Sequence, residues 1–345
     1  MNRKYLLILS AIIVAVFAGM AFLNSSIYRL NSGKNGFKRI ISRLTVTRLY
    51  EKEFDQPIRD IAGVTPDNIY LATGEPGKII VTTRELTNAN QINLPITVNN
   101  LKTAFTTELY YPDLYIFGYN VPGIIKYNLV TNKQTMYPVN RAFGRCALVS
   151  ASTAILRGFN ANYTDEIMRN RNLLTGVDKE ENNVTDKTEG GGFVTDGMLH
   201  FDQQTNRVVY NHFYSNKILF LDTNLHLLFS KTGIDTFKTY TARAKAITTS
   251  NRTSFSFVSP PKLLSAYSCV SNGTLFINSR VMADNETYNQ FMNNAVIDMY
   301  DIETGAYKGS FHVPAARGKI MLKFKVYGKR LIALYKKSVA VYLIQ

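Results

Sequence analysis

The sequence predicts an all-β fold: a β-propeller of six four-stranded blades, closed by an N-terminal strand and preceded by an N-terminal transmembrane helix. Three observations carry this. One turn is written three times, as Tyr127-Asn128-Leu129-Val130-Thr131-Asn132, Phe201-Asp202-Gln203-Gln204-Thr205-Asn206 and Tyr300-Asp301-Ile302-Glu303-Thr304-Gly305. Strand-like runs arrive in groups of four at roughly 40–50 residues per group, the spacing of propeller blades. The last group holds only three runs, and a spare run at 44–54 lies ahead of the first complete group.

The repeated turn has a local physical cause. A short Asx side chain bonds backbone groups two residues on, and Gly or Asn accepts the left-handed conformation that closes the turn. The runs between turns are rich in Tyr, Phe, Val, Ile and Thr, which favour a pleated, half-buried surface. The first group reads 58–63, 68–72, 78–84 and 91–94, and the second 102–106, 114–118, 124–129 and 134–139. A third opens with 146–150 and 154–158, then meets a polar stretch, 160–192, in which 167–174 reads as either strand or short helix. The fourth reads 193–201, 207–212, 217–221 and 225–230. Residues 239–264 resist division. The fifth group follows at 267–270, 274–281, 295–300 and 307–313, and the chain ends with 320–326, 330–335 and 339–344. Pairing 44–54 with that last trio closes the ring and removes a free sheet edge. The count is six blades, with five or seven left open by the two ambiguous stretches.

Residues 5–23 form an uncharged run of 19, preceded by Arg3 and Lys4. That length suits a membrane-spanning helix better than a secretory signal. The expected organisation is an uncleaved anchor at 1–24, a basic juxtamembrane tether at 25–43 and a propeller at 44–345, held outside the cytoplasm. The net charge of +15 lies at the chain ends: +8 over 1–52 and +9 over 308–345, against −2 between them. Closure would bring both basic ends to one blade. Lys34, Lys38, Arg39, Arg43, Lys325, Lys329 and Arg330 are then either a face for anionic lipid headgroups or solvated strand faces that aid solubility. No recognition helix, zinc finger or RNA-binding motif accompanies the charge, so nucleic acid is not the expected partner.

A family resemblance rests on Ser259-Pro260-Pro261-Lys262, Ser268-Cys269-Val270, Leu275-Phe276-Ile277-Asn278-Ser279, Val296-Ile297-Asp298-Met299-Tyr300-Asp301 and the ending Val326-Tyr327-Gly328-Lys329-Arg330-Leu331-Ile332-Ala333-Leu334-Tyr335. These resemble TolB-like six-bladed propeller proteins of the Bacteroidetes cell envelope. The resemblance implies the fold and an envelope location, with no catalytic residues to carry over. Many such proteins resemble lipoproteins with an N-terminal Cys; this chain has an apolar span in that place.

Chemistry is marked mostly by what is missing. A chain with no Trp is not a propeller built on Trp-Asp repeats. His200, His212, His226 and His312 show no tight ligand spacing, so neither a metal nor any other cofactor is expected. Gly190-Gly191-Gly192 lacks the Lys-Ser/Thr of a phosphate loop and reads as a blade-to-blade hinge. Cys146 and Cys269 form no ligand or redox pair and read as buried thiols. The first strand of each blade lines the central channel, and Arg59, Lys102, Arg145 and Lys323 fall on such runs. Converging bases would favour a small anion or an acidic segment. The expected function is therefore a membrane-anchored, non-catalytic propeller that binds an envelope protein or a small anionic ligand. The competing class is an envelope hydrolase, lyase or lactonase, which needs carboxylates such as Asp60, Asp196 and Asp298 at the channel mouth.

Overall fold

A computed structural model describes the backbone of residues 3–31, 34–96, 105–119, 121, 123–181, 184–188, 190, 192–249, 252–316 and 318–345. Helix α1 (Arg3–Asn31) precedes strand β1 (Val46–Glu53). Blade one holds β2 (Ile58–Val64), β3 (Asn68–Thr73), β4 (Lys78–Thr83) and β5 (Ala89–Asn93). Blade two holds β6 (Thr106–Tyr110), β7 (Asp113–Phe117), β8 (Gly123–Asn128) and β9 (Lys133–Pro138). Blade three holds β10 (Phe143–Ser150), β11 (Thr153–Phe159), β12 (Glu166–Asn172) and β13 (Asp178–Glu181), and blade four holds β14 (Gly197–Asp202), β15 (Arg207–His212), β16 (Lys217–Leu221) and β17 (Leu227–Thr232). A separate hairpin, β18 (Ala244–Thr249) with β19 (Arg252–Phe257), leads to blade five. There β20 (Ser265–Ser271) and β21 (Thr274–Ser279) are followed by a short helix, α2 (Tyr288–Asn293), and by β22 (Asn294–Asp301) and β23 (Tyr307–Pro314). The chain ends with β24 (Lys323–Tyr327), β25 (Arg330–Leu334) and β26 (Ser338–Ile344).

All pairings within the blades are antiparallel between sequence neighbours, except one. The last sheet has the order β1-β26-β25-β24, so the N-terminal strand supplies the fourth strand of blade six. Both ambiguous stretches resolve without changing the count. Residues 166–172 are the third strand of blade three, and 239–264 contributes the extra two-stranded hairpin. The propeller has six blades.

Each repeated turn uses its Asx as expected. Asn128 Oδ1 accepts from the Thr131 N–H (2.8 Å) and hydroxyl (3.0 Å). Asp202 Oδ2 does the same with Thr205 at 2.9 and 2.8 Å, and Asp301 Oδ1 with Thr304 at 2.9 Å for both. Asn132, Asn206 and Gly305 close the turns at positive φ. A fourth copy joins β12 to β13: Asn172 Oδ1 accepts from Leu174 N and Thr175 N, and Gly176 has φ 72. It lacks the leading aromatic that marked the other three.

Six hydrophobic clusters sit one at each interface between neighbouring blades. Adjacent residues of one strand feed different clusters. In β15, Val208 packs toward blade three and Val209 toward blade five. In β25, Leu331 faces blade five and Ile332 faces blade one. This is period-two alternation with both faces buried, which is why these strands read as nearly continuous apolar runs. The Val339, Val341 and Phe54 side chains share the cluster that seals blade six against blade one.

Where the sequence suggests a tether, helix α1 continues to Asn31, and residues 35–42 then lie against blade five as a strap. The Asn35 and Gly36 N–H groups donate to Asp284, Phe37 fills a pocket with Leu264, Val281 and Ala283, and Ile41 bridges Ser310 in parallel. On α1, the described side chains at Tyr5, Ile8 and 10–22 are exposed. Among the described residues no helix is long and apolar enough to cross a membrane, so the structure does not support the transmembrane helix expected from the sequence.

Candidate functional site

The first strand of each blade is its innermost. The first strands of neighbouring blades lie side by side around an axis, and all six line a central cavity of about 390 Å³. Polar or small side chains from each of these strands are among those lining it. Thr106, Glu108 and Tyr110 come from β6, Met198 and His200 from β14, Ala266, Ser268 and Val270 from β20, and Lys323 and Lys325 from β24.

Of the four bases expected in the channel, two are there. Arg145 Nε donates to Gly197 O at 2.8 Å, its Nη2 pairs with Asp196 at 3.2 Å, and its guanidinium lies over the Phe213 ring. Lys323 Nζ pairs with Asp60 Oδ2 at 2.5 Å and sits over the Tyr267 ring. Arg59 is not in the cavity. A register shift between Ile58 and Asp60 turns Asp60 inward and leaves Arg59 exposed. Lys102 lies outside the described residues; the first strand of blade two begins at Thr106, later than the sequence suggests.

The supposed basic face is likewise divided. Lys34, Lys38, Arg43 and Lys329 are exposed, and half-buried Arg330 lies 3.6 Å from Glu85. Lys325 does not face outward: it shares the inner face of β24 with Lys323 and enters the cavity, where Nζ donates to Ala62 O at 3.1 Å. Arg39 is buried in the strap. Its Nε donates to Asp298 Oδ1 at 2.8 Å, its Nη1 to Glu286, and its Nη2 to Ser279 Oγ at 2.7 Å. Burial alone would lower the Arg39 pKa, but Asp298 and Glu286 outweigh it and raise it.

The cavity also holds groups that the sequence did not single out. Glu108 is pushed above the usual carboxylate range by burial, an effect that Lys325 opposes. His200 Nε2 lies 2.7 Å from Ser268 Oγ, which donates to Asn211 Oδ1 at 2.6 Å; Asn211 Nδ2 donates to Ser265 Oγ at 3.1 Å. With its own proton given to Asn211, Ser268 accepts from the imidazole, which places that proton on Nε2. Burial first, then the charges of Lys325 and Arg145, lower the His200 pKa to about 3. Cys146 and Cys269 line the wall as free, buried thiols, the latter pushed up by burial to about 12. The signal for Lys325, Glu108 and His200 was available: each lies two residues, or a multiple of two, from another channel-lining position.

His212, the last residue of β15, does not join His200. Its Nδ1 bonds Lys217 O at 2.9 Å and its ring meets Tyr210 and Tyr240. No group of three or more His, Cys, Asp or Glu side chains suited to a metal occurs among the described residues. The carboxylates required by the hydrolase reading are dispersed: Asp60 pairs with Lys323, Asp196 with Arg145 and Asp298 with Arg39. Gly192 has φ +91, and a Cβ there would meet Glu166 Cβ at 2.5 Å, which explains a glycine at that connection. Arg157 Nη2 fixes it by donating to Gly192 O at 2.8 Å.

No family model matches the chain, and no curated protein sequence does. Solved structures are similar. A DUF4221 family member from Bacteroides vulgatus aligns with TM-score 0.52 and 10% identity over 91% of this chain and 99% of its own. A protein of unknown function from Bacteroides thetaiotaomicron aligns with TM-score 0.52 and 9% identity over 88% of this chain and 76% of its own. A catalytically inactive virginiamycin B lyase from Staphylococcus aureus, with quinupristin, gives TM-score 0.50 and 10% identity over 87% and 99%. At such identities the likeness reaches the fold alone: the chain is a six-bladed β-propeller similar to these, without assignment to the TolB-like family or to any other.

Proposed function

We propose that this propeller is a non-catalytic binding protein whose central cavity holds a small anionic group, and that α1 tethers it to a membrane on the extracytoplasmic side. The observation that carries the first part is Lys325. Its ammonium is held by a backbone carbonyl and, among the described residues, has no carboxylate within ion-pair distance, whereas Lys323 and Arg145 beside it are already paired. A cation in a confined, poorly solvated cavity is worth more to an incoming anion than one on the surface. Against catalysis stand the dispersed carboxylates and His200. An imidazole with a pKa near 3 is far from the near-neutral value a general base needs. Support for the tether is the uncharged 19-residue run and the exposed apolar side chains of α1, including Phe17 and Phe22. Exposed Lys34, Lys38 and Arg43 would then meet the headgroups.

Calorimetry with succinate and with inorganic phosphate tests the cavity. The full chain is expected to bind one of them, and Lys325→Ala to weaken that binding tenfold or more; unchanged affinity in the variant rejects the site. Vesicle flotation of the full chain against a chain lacking residues 1–31 tests the tether separately.

A further inference from the structure

The cavity opens, past Tyr110, Phe201, Val270 and Val326, into a larger bowl of about 770 Å³. The bowl lies at the end of the propeller formed by the turns between first and second strands. The strap docks at the other end, on the β21–β22 connection and on Thr236 between blades four and five. Blades two to six all contribute to the bowl.

Its chemistry differs from that of the cavity above it. Among the described residues no Lys or Arg lines it. Its two carboxylates are committed: Asp113 to Asn128 Nδ2 at 2.7 Å and Lys126 at 3.6 Å, and Asp202 to the Thr205 turn and to Gly273 N. What remains on offer is aromatic and amide. Tyr110, Tyr111 and Tyr327 are exposed by 41, 59 and 37%, large values for rings at a concave mouth. Gln203, Gln204 and Asn272 are exposed on the facing turns.

We propose that this bowl binds a neutral saccharide. A sugar ring has apolar C–H faces that rest on tyrosine rings, and hydroxyls that both donate and accept. Side-chain amides supply both partners, and a phenol supplies one of each. An anion gains nothing where no cation faces it, so the ligand here is distinct from the one proposed for Lys325. An extended peptide is disfavoured because the rim residues sit at the hairpin turns of five blades and so offer side chains rather than a length of strand for pairing. The volume lies within the roughly 300–1,000 Å³ usual for small-ligand sites.

The chain has 21 Tyr, of which only Tyr110, Tyr111, Tyr115 and Tyr327 line the bowl among the described residues, so binding is read by calorimetry rather than by tyrosine fluorescence. The full chain would be titrated with a panel of neutral mono- to trisaccharides of glucose, galactose, mannose and N-acetylglucosamine. Trigalacturonate and a neutral tetrapeptide would serve as controls. At least one neutral saccharide is expected to bind in preference to the controls. Tyr111→Ala combined with Tyr327→Ala is expected to weaken it tenfold or more, with the melting transition unchanged. Lys325→Ala is expected to leave it unaltered, which separates this site from the anion site. No binding across the panel, preference for either control, or full affinity in the double tyrosine variant would overturn the proposal.

Discussion

At the scale of single residues, burial decides what a charge can do. Arg39 reads in sequence as one more juxtamembrane base, yet it spends its charge on Asp298 and Glu286 with essentially no solvent contact. Removing it takes the guanidinium from two buried carboxylates, which keep only His312 and Ser310 as side-chain partners among the described residues, at a cost of about 3–5 kcal/mol. Arg39→Ala is therefore expected to lower the unfolding free energy by that order in urea titrations, whereas Lys38→Ala, one exposed position away, leaves it within about 0.5 kcal/mol. His212 gives a pH-dependent counterpart. Burial lowers its pKa to about 4, whereas an unfolded histidine titrates near 6.5. Between those values the unfolded chain binds a proton that the folded chain refuses, so this contribution is present above pH 6.5 and is lost as pH falls toward 4. Glu108 and Glu166, whose pKa values are raised, act in the opposite sense. The diagnostic is thus a difference: the urea midpoint of the parent chain, relative to His212→Gln, should decline over that interval. A constant offset would show that His212 does not titrate differently on folding.

At the scale of elements, most strands were legible because period-two alternation and Asx-Thr turns are local signals. The run 44–54 could be assigned to blade six from a missing strand alone, and β1 pairs with β26 there. What stayed illegible depended on contacts distant in sequence. The inward turn of Asp60 needs a bulge that only pairing with β3 creates. The strap on blade five joins residues some 250 positions apart, such as Asn35 and Asp284. Lys325 was misplaced because its charge, rather than its register with Lys323, was read. Closing a loop from β1 to β26 costs about 5 kcal/mol, which burying two or three large side chains at about 1.5–3 kcal/mol each offsets. Tyr50 and Phe54 provide such burial on the closing segment. A chain lacking residues 1–31 should keep its thermal transition by circular dichroism, and one lacking residues 1–53 should lose cooperative melting. Equal transitions in both would show that closure by β1 is dispensable.

At the scale of the whole molecule, two cavities of opposite character share one axis: a narrow one with an available cation and a wide one of tyrosines and amides. Their order along the axis follows from topology, since the first-to-second strand turns all fall at one end and the blade-to-blade connections at the other. The strap gives this arrangement a mechanical consequence. A pull on α1 reaches the body first through Asn35–Asp284, the Arg39 ion pairs and the Ile41–Ser310 bridge, all on blade five. These links stand in series ahead of β1, so tension is carried by a charged clasp before any of it loads the strand that holds the ring shut.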